Sequence, residues 1–407
     1  MAVSTVANQS PVEIVREAGL LLSNQLQFLK SGIPDHSAKF KGGGSGRTVT
    51  LARPTKVRVS TGTWNVSSVP NASREVGVPL AMSSTPITVP WIFTDDQRYM
   101  DFQDMKQQVI TPSIKRLAAE IERKVLENVM PGIPTFAQAA TLTDAAVAEV
   151  KQYMTDNLAD PNDLKALIRS SMTRDLRGDT KGLFNATTVI GKQNVDGVIA
   201  RWDGFDFMES TLLPVQTTGT RAASTIGTTV VEGATTVLVD VGSGTETVKK
   251  GEIFYVVLCE AVNDQTKASL GTPKRYTVAA DATASGGIAT LTVTEAVYAS
   301  TLDARQNVTR LPTAGDTVVW VGAGSATVQQ GLFYNPLAFA TAFADLPVDD
   351  EANGAITTVP GTNIRLRFER QKDSKAGETV YRWDVLMASA LVEPAFAARF
   401  LRTASTT

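Results

Sequence analysis

The sequence has a single histidine, His36, and a single cysteine, Cys259, among its 407 residues. One cysteine cannot form a disulfide within the chain, and a structural Cys/His zinc site needs about four ligands. Catalytic triads and dyads that use histidine as the base therefore have one candidate, in a stretch rich in Gly and Lys. The composition disfavours disulfide-stabilised domains, Cys/His zinc sites and enzymes that depend on either residue.

A long apolar run is also missing. The most apolar early segment, residues 19–22, is flanked by Glu13, Arg16 and Glu17 on one side and by amides on the other. A signal peptide needs about 7–15 consecutive apolar residues, and a membrane-spanning helix needs about 20. We therefore expect neither an export signal nor a membrane segment, and a protein made and used in a cytosol.

Charge is nearly balanced overall but unevenly distributed. The net charge is -2 and 43% of the residues are hydrophobic, which is typical of a globular protein. Residues 1–60 carry a net +5, so the rest of the chain carries -7. At about 150 residues per domain, the length suggests two or three domains.

Hydrophobic periodicity of about 3.6 residues predicts four helices, at 11–30, 94–130, 143–158 and 335–343. The second is the strongest, with a capping box at Thr94 and Gln97 and an apolar face that runs from Ile114 to Val129. Thr111 followed by Pro112 predicts a kink or a new start within it. The pattern therefore indicates one long, two-part helix that crosses a domain.

Short β-branched runs dominate the region 228–322, with turns rich in Gly, Ser, Asn and Asp between them. Six strands in about 95 residues, with almost no helical period, predict a small barrel or sandwich. Further strands are expected at 364–370 and 379–386, and a turn at 393–396. The predicted strands of the β-rich region are 228–231, 236–241, 252–259, 275–278, 289–293 and 317–321.

Possible chemical sites have simpler explanations. The Gly-rich segment 41–48 lacks the first Gly and the Lys of a phosphate-binding loop and precedes a strand, so a flexible basic loop is favoured. Asp95 and Asp96 suit the start of a helix, and residues 349–351 form an acidic loop, so solvated surface is favoured over a metal site or acid-base catalysis. Cys259 is expected to be a small buried residue, and His36 a surface residue.

Several segments together, in their order along the chain, resemble the major capsid proteins of tailed phages. They are most similar to the coat proteins of short-tailed phages that carry an inserted β-barrel. Before the insertion the matching segments are Ile87–Asp96 (ITVPWIFTDD), Ile110–Ala118 (ITPSIKRLA), Val195–Val198, Gly204–Phe207 and Leu213–Val215. Within and after it they are Val248–Tyr255 (VKKGEIFY), Lys274–Val278, Ala289–Val293, Gly331–Pro336 (GLFYNP) and Asp384–Pro394 (DVLMASALVEP).

The resemblance implies an α+β protein with the HK-ninety-seven-type capsid fold and an inserted small β-barrel. That fold has an N-terminal arm, an extended loop that reaches over a neighbouring subunit, a peripheral domain with a long spine helix, and an axial domain. The expected division is 1–36 for the arm, 37–92 for the extended loop and flanking strands, 93–132 for the spine helix, 133–223 and 324–362 for the axial domain, 224–323 for the insertion, and 363–407 for the peripheral strands and C-terminus.

The implied function is assembly into the icosahedral shell that encloses a tailed phage's double-stranded DNA, with no catalysis, cofactor or metal. The implied partners are copies of the chain in hexamers and pentamers, a scaffolding protein, a portal, and DNA held by non-specific contact. The implied locations are the virion and the host cytoplasm during assembly. Two other classes remain open, namely a tail or adhesin protein and a carboxylate-dependent hydrolase with an accessory β-domain.

The charge asymmetry suggests which residues join the subunits. Basic side chains of the extended loop are expected to pair with acidic residues of a neighbouring copy, each exposed pair contributing only about 0–1 kcal/mol. A shell repeats one contact set many times, so weak contacts suffice. The contact candidates are Arg47, Arg53, Lys56, Arg58, Asp95, Asp96, Asp349, Asp350 and Glu351.

Overall fold

The computed structural model describes residues 11–40, 46–57, 73–94, 109–134, 136–180, 201–242, 244–348, 354–373 and 375–403. Two compact units are present. Unit 1 consists of Met1–Leu51, Pro79–Leu126 and Phe339–Ala390, and unit 2 of Ala52–Val78, Glu127–Ala338 and Leu391–Thr407. The α-helices are α1 (Pro11–Gln25), α2 (Thr111–Val129), α3 (Asp144–Asp156) and α4 (Ser170–Thr180).

Unit 1 is built around a five-stranded antiparallel sheet. Its central strand is β23 (Glu378–Leu391). This strand pairs with β22 (Arg365–Asp373) on one side, and with β5 (Ile87–Thr94) and β20 (Phe339–Ala344) on the other. Tryptophans and other aromatics cover one face of the sheet: Trp91 stacks on Tyr381 with ring centroids 5.5 Å apart. The strands are β5 (Ile87–Thr94), β20 (Phe339–Ala344), β21 (Ala355–Thr358), β22 (Arg365–Asp373) and the central β23 (Glu378–Leu391).

Helix α2 packs on the aromatic face of this sheet. Trp383, which is fully buried, donates its indole N–H to Ser113 Oγ in the first turn of the helix at 3.2 Å. The apolar positions Ile114, Ile121 and Val125 have no exposed surface, as their helical spacing predicts. Residues 95–108, the first part of the predicted two-part helix, lie outside the described residues. The described helix starts at Thr111, where the Thr-Pro pair predicts a start.

A seven-stranded mixed sheet forms the body of unit 2. Its order is β6–β24–β19–β7–β9–β8, with β10 also paired to β19. Buried residues of α3 and α4 belong to the same hydrophobic cluster as residues of this sheet. The strands are β6 (Phe136–Ala139), β7 (Leu164–Ile168), β8 (Arg201–Trp202), β9 (Phe205–Glu209), β10 (Val215–Thr217), β19 (Thr327–Tyr334) and β24 (Ala397–Arg402).

The region 224–320 forms a six-stranded antiparallel sheet in the order β15–β14–β18–β11–β12–β17. The ends of its two edge strands meet in a bridge between Val278 and Val293. Two hydrogen bonds flank that bridge, from Ala279 N to Thr292 O at 2.7 Å and from Thr294 N to Thr277 O at 3.1 Å. The strands are β11 (Ser224–Ile226), β12 (Thr236–Asp240), β14 (Ile253–Val262), β15 (Ser269–Thr277), β17 (Ile288–Thr292) and β18 (Thr317–Trp320).

This sheet encloses its own hydrophobic core of valines, leucines and aromatics, which contains Cys259. The thiol is buried, and burial raises its pKa to about 11, so Cys259 is the small buried residue that the sequence predicts. Short two-stranded ribbons complete the fold. They are β1 (Thr48–Ala52) with β4 (Gly77–Ala81), β2 (Lys56–Val57) with β3 (Ser73–Arg74), and β13 (Thr247–Val248) with β16 (Ala282–Thr283).

Three predicted elements differ from the structure. The helix expected at 335–343 is wrong, since only Pro336–Ala338 forms a helical turn and β20, a largely buried strand paired with β23, follows it. The run 228–231 is not a strand, and the first strand of the six-stranded sheet lies earlier, at Ser224–Ile226. The turn at 393–396 leads into a fully buried strand, β24, that the sequence analysis missed. In each case pairing with distant strands, rather than local periodicity, decides the conformation.

Helix α1 ends at Gln25, five residues before the predicted end. The following turn is stabilised from elsewhere in unit 1, because the carboxylate of Glu122 on α2 accepts hydrogen bonds from the backbone N–H groups of Gln27, Phe28 and Leu29 at 2.6, 2.7 and 3.4 Å. Continuing the helix would direct these amides to its own carbonyls instead. The other strong helix prediction, 143–158, is confirmed as α3 with Thr143 as its N-cap.

Candidate assembly site

Of the predicted contact residues, the structure describes Arg47, Arg53 and Lys56. Arg58, Asp95, Asp96, Asp349, Asp350 and Glu351 lie outside the described residues. The pairing of basic loop residues with those acids therefore stays a prediction. Arg47 is exposed and donates through Nη2 to the carbonyl oxygens of Ser83 and Ser84 at 3.2 and 3.0 Å.

Lys56 contacts a carboxylate of its own chain. Its ammonium lies 3.1 Å from Asp264 Oδ1, in the turn between β14 and β15, and the two side chains are 23% and 45% exposed. The same carboxylate also pairs with Lys267 at 3.0 Å. The structure thus brings one predicted basic contact residue onto the six-stranded sheet of the same unit, a pairing that the sequence analysis did not anticipate.

A second acidic group lies close to this pair. Lys274 and Glu295 are joined at 2.7 Å. Burial raises the pKa of the Glu295 carboxyl, but Lys274, with Lys56 and Arg53, more than offsets it and lowers the pKa to about 2. Burial raises the pKa of the Glu393 carboxyl against the lowering effects of Arg53 and Lys56. We call Arg53, Lys56, Asp264, Glu295 and Glu393 the loop-base cluster.

Arg399, at the centre of β24, has no exposed surface. Its guanidinium donates to Gly251 O at 2.9 Å, to Gln330 Oε1 at 3.2 Å and to Gln216 Oε1 at 3.4 Å. Burial lowers its pKa to about 9, still well above neutrality, so the side chain remains charged. These bonds connect the seven-stranded sheet to the start of β14, the first long strand of the six-stranded sheet.

A second buried group, Arg221 with Glu252, joins the chain segment that enters the six-stranded sheet to the segment that leaves it. Arg221 forms an ion pair with Glu252, both almost without exposed surface, and donates through Nη2 to Val321 O at 3.0 Å. Glu252 Oε1 also accepts from Gly219 N at 2.7 Å. Gly219 permits this approach, because a Cβ there would lie 1.9 Å from the carbonyl oxygen of Thr247.

Contacts with helix α3 hold the β14–β15 hairpin as well. The guanidinium of Arg275 lies over the ring of Tyr153 at 5.1 Å, and Asn263 donates through Nδ2 to Asp156 O at 3.2 Å. The six-stranded sheet is therefore attached to the rest of unit 2 at its base, through Arg399 and Arg221, and along one hairpin.

Sequence reasoning missed Arg399 and Glu122 as structural residues, although each leaves a signal. Glu122 follows Ala118 by four residues and precedes Val125 by three, so it belongs to the apolar face of α2. Arg399 interrupts the apolar run Ala397–Leu401 of β24. A charged residue at a core position indicates a buried partner, but the sequence does not reveal which one.

No described helix is long and apolar enough to cross a membrane. Within the described ranges, no three Asp, Glu, His or Cys side chains are grouped so that they could hold a metal ion. His36 is partly buried, and burial, with Lys39, lowers the pKa of its imidazole. Its backbone N–H donates to Thr341 O at 2.8 Å.

Solved structures similar to this chain include several from phages. A structure from Mycobacterium phage Che8 matches with 11% identity and a TM-score of 0.47, covering 94% of this chain and 92% of that one. The capsid structure of cyanophage P-SCSP1u matches with 11% identity and a TM-score of 0.45, covering 88% and 84%. The CUS-3 coat protein I-domain matches with 15% identity and a TM-score of 0.20, covering 26% of this chain and 98% of that one.

A comparison with curated protein sequences found no match. The model of one protein family, described as "P22 coat protein - gene protein 5", matches residues 45–400. This range includes α2, the five-stranded and six-stranded sheets and nearly all of the seven-stranded sheet, and the fold is of the HK-ninety-seven type. The chain belongs to the P22 coat protein family and is a major capsid protein of a tailed phage, with a structural role as a subunit of the shell.

Proposed function

We propose that copies of this chain close into an icosahedral shell of hexamers and pentamers around double-stranded DNA, and that the chain performs no catalysis. The carrying observation is the family match over residues 45–400. A scaffolding protein and a portal join the shell during assembly in the host cytoplasm, and the mature protein resides in the virion.

The proposed parts follow the division expected from the sequence. Residues 1–36 act as the arm, 37–92 as the extended loop, 93–132 as the spine helix, 133–223 and 324–362 as the axial domain, and 363–407 as peripheral strands and C-terminus. Residues 224–323 form the inserted domain, a barrel closed at the Val278–Val293 bridge. Strand β24 belongs to the last segment by sequence but pairs with β19 and β6 in the seven-stranded sheet.

The inserted domain is proposed to stiffen the subunit. Support comes from the buried bonds of Arg399 and Arg221 at its base and from the contacts of its hairpin with α3. A stiff subunit presents its contact surfaces in one geometry, so less conformational entropy is lost at each contact when a shell forms. The many equivalent contacts of a closed shell then add up to a stable particle.

Among the predicted contact residues, Arg47 and Arg58 are proposed to meet acidic residues of a neighbouring copy. Arg47 supports this, because its exposed guanidinium has only backbone carbonyls as partners in the described part of the chain. The proposed acceptors are Asp95, Asp96, Asp349, Asp350 and Glu351. Each such pair is weak on its own and is weakened further by salt.

Negative-stain microscopy of the purified chain, alone and co-expressed with a scaffolding protein, tests the proposal. Closed shells of uniform size, or rings of five and six subunits, are the expected result. Fibres, or monodisperse monomers under both conditions, would overturn it. A tail protein predicts tubes or fibres, and a hydrolase predicts a soluble monomer with turnover on glycoside substrates.

A further inference from the structure

Within the extended loop, the segment beyond the β1–β4 ribbon has little local structure to fix its direction. Strand β2 consists of two residues, Lys56 and Val57, paired only with Arg74 and Ser73 of β3. One more backbone hydrogen bond, from Arg53 N to Val76 O at 2.9 Å, supports this ribbon. An isolated two-stranded ribbon is marginally stable in water, so its direction must come from contacts outside it.

The acidic side of the loop-base cluster is, in contrast, held rigidly. In the turn that carries Asp264, the side chain of Asn263 accepts from Gln265 N at 2.9 Å and from Thr266 N at 3.0 Å. Lys267 donates to Ala304 O at 2.7 Å, which ties the turn to a neighbouring loop of the same sheet. Asn263 in addition donates to Asp156 O on α3. Asp264 is therefore a carboxylate at a fixed position relative to the body of unit 2.

The remaining acids of the cluster, Glu295 and Glu393, both interact electrostatically with Arg53. Glu295, held by Lys274, stays ionised at neutral pH because its pKa is about 2. The Arg53 Nε atom is buried and has no hydrogen-bond partner in the described part of the chain, and the charge of Arg53 lowers the pKa of both Glu295 and Glu393. Glu393 contributes from the segment that follows β23.

We propose that the inserted domain orients the extended loop of its own subunit, through the contact of Lys56 with Asp264 and the facing charges of Arg53, Glu295 and Glu393. The insertion then sets the direction in which the loop leaves the subunit. This inference rests on the proposed function, because a loop direction matters only if the loop reaches a neighbour in a shell.

A charge swap tests the proposal. The two substitutions are combined first in one chain and then divided between two co-expressed chains. The variants are K56E, D264K and the double variant K56E/D264K, each produced with wild-type scaffolding protein. The expected result is that each single variant yields aberrant or fewer closed shells and that the double variant restores them. A co-expressed mixture of K56E and D264K subunits is expected not to restore shells, because the pair forms within one subunit.

Hydrogen exchange on unassembled subunits supplies a second readout. We expect the amides of residues 56–57 and 73–74 to exchange about two- to fivefold faster in K56E than in wild type, with wild-type rates in the double variant. The β14–β15 hairpin should exchange at wild-type rates in K56E, which separates loss of the contact from unfolding. Unchanged exchange at 56–57 in K56E overturns the proposal.

The matched control is the pair Lys151–Asp203, which joins α3 to the β8–β9 turn at 2.6 Å with exposures of 37% and 29%. The single variant K151E should leave both the shells and the exchange at 56–57 unchanged. The inference is contradicted if K56E forms normal shells. It is also contradicted if the mixture of K56E and D264K subunits restores shells as well as the double variant does. If wild type itself forms no shell, the proposed function fails, whereas the exchange result still decides whether the contact orients the loop.

Discussion

Arg399 on the C-terminal strand β24 donates to the backbone carbonyl of Gly251, 148 residues away in sequence, at 2.9 Å. This bond joins the seven-stranded sheet to the segment that leads into β14 of the six-stranded sheet. Gly251 has a φ of +85°, and a Cβ there would lie 2.8 Å from Gln216 Oε1, another acceptor of the same guanidinium. A buried charge therefore lies at the junction of the two sheets, beside a small apolar cluster that contains Ile253 and Leu401.

Replacing Arg399 with methionine should destabilise the protein by about 2–4 kcal/mol, because three buried acceptors lose their donor. Chemical denaturation measures the loss, and hydrogen exchange at residues 249–252 should rise more than exchange in α3. R174M is the control, since Arg174 is 76% exposed in the same unit. Its unfolding free energy should stay within about 0.5 kcal/mol of wild type. Equal stability of R399M and R174M would refute the assigned role.

Glu122 should tolerate glutamine better than alanine. Alanine removes the acceptor of three amides and should cost about 2–3 kcal/mol, whereas glutamine keeps an acceptor oxygen in place. Thermal unfolding of E122Q and E122A compares the two. Equal losses for both would show that the carboxylate charge, rather than the acceptor, stabilises the turn after α1.

The pH dependence at Glu122 has a definite sign. Burial raises the pKa of this carboxyl, and the amides of Gln27, Phe28 and Leu29 offset it only in part. The folded state therefore binds the proton more tightly than the unfolded state, so stability is present at low pH and is lost as pH rises through the folded pKa. The difference in unfolding free energy between E122Q and wild type should thus increase as pH rises above about 4.5. A constant difference across that range would contradict the assignment.

Glu295 should show the opposite dependence. Its carboxyl has a pKa of about 2 in the folded protein, against an ordinary value of 4.5 for a glutamate carboxyl. Its contribution to stability is complete above pH 4.5 and disappears as pH falls toward 2. Acid unfolding of wild type and E295Q, followed by tryptophan fluorescence, should therefore give curves that converge at low pH. Curves that stay parallel down to that pH would argue against the ionised carboxylate.

Gly219 should not accept a side chain. The Cβ of G219A would lie 1.9 Å from the Thr247 carbonyl oxygen and would force the segment that enters the six-stranded sheet away from β13. We expect a loss of about 1–3 kcal/mol or more. The control is G178A on the exposed side of α4, where a Cβ meets no atom within 4 Å and should gain about 0.5–1 kcal/mol. If the melting temperatures of G219A and G178A shift equally, the steric argument is refuted.

Much of the fold follows from local pattern. The apolar spacing from Ile114 to Val129 predicts α2, and alternation in five of the six β-branched runs predicts strands of the six-stranded sheet. Periodicity fails at Phe339–Ala344, where an all-apolar run fits a buried helix and a buried strand equally well. It also misses β24, whose conformation depends on β19 and β6 as its neighbours.

The candidate site is harder to predict from the sequence than the fold is. Charge counting selects Arg53 and Lys56 as basic contact residues, but the partner of Lys56 is Asp264, more than 200 residues further on. Nothing local distinguishes that carboxylate from the other acids of the chain. A partner is defined by which chain segments the folded core brings together, and this depends on all long-range packing at once.

The sequence by itself determined that an enzyme dependent on His or Cys is disfavoured, where the strongest helix and five strands of the six-stranded sheet lie, and which capsid family the ordered segments resemble. These properties depend on composition, local periodicity and segment order, all of which are present before folding. The tertiary structure alone decided that Arg399, Glu122 and Glu252 are buried and which groups they bind. A charge can be stable in a core only where distant backbone and side-chain groups converge on it.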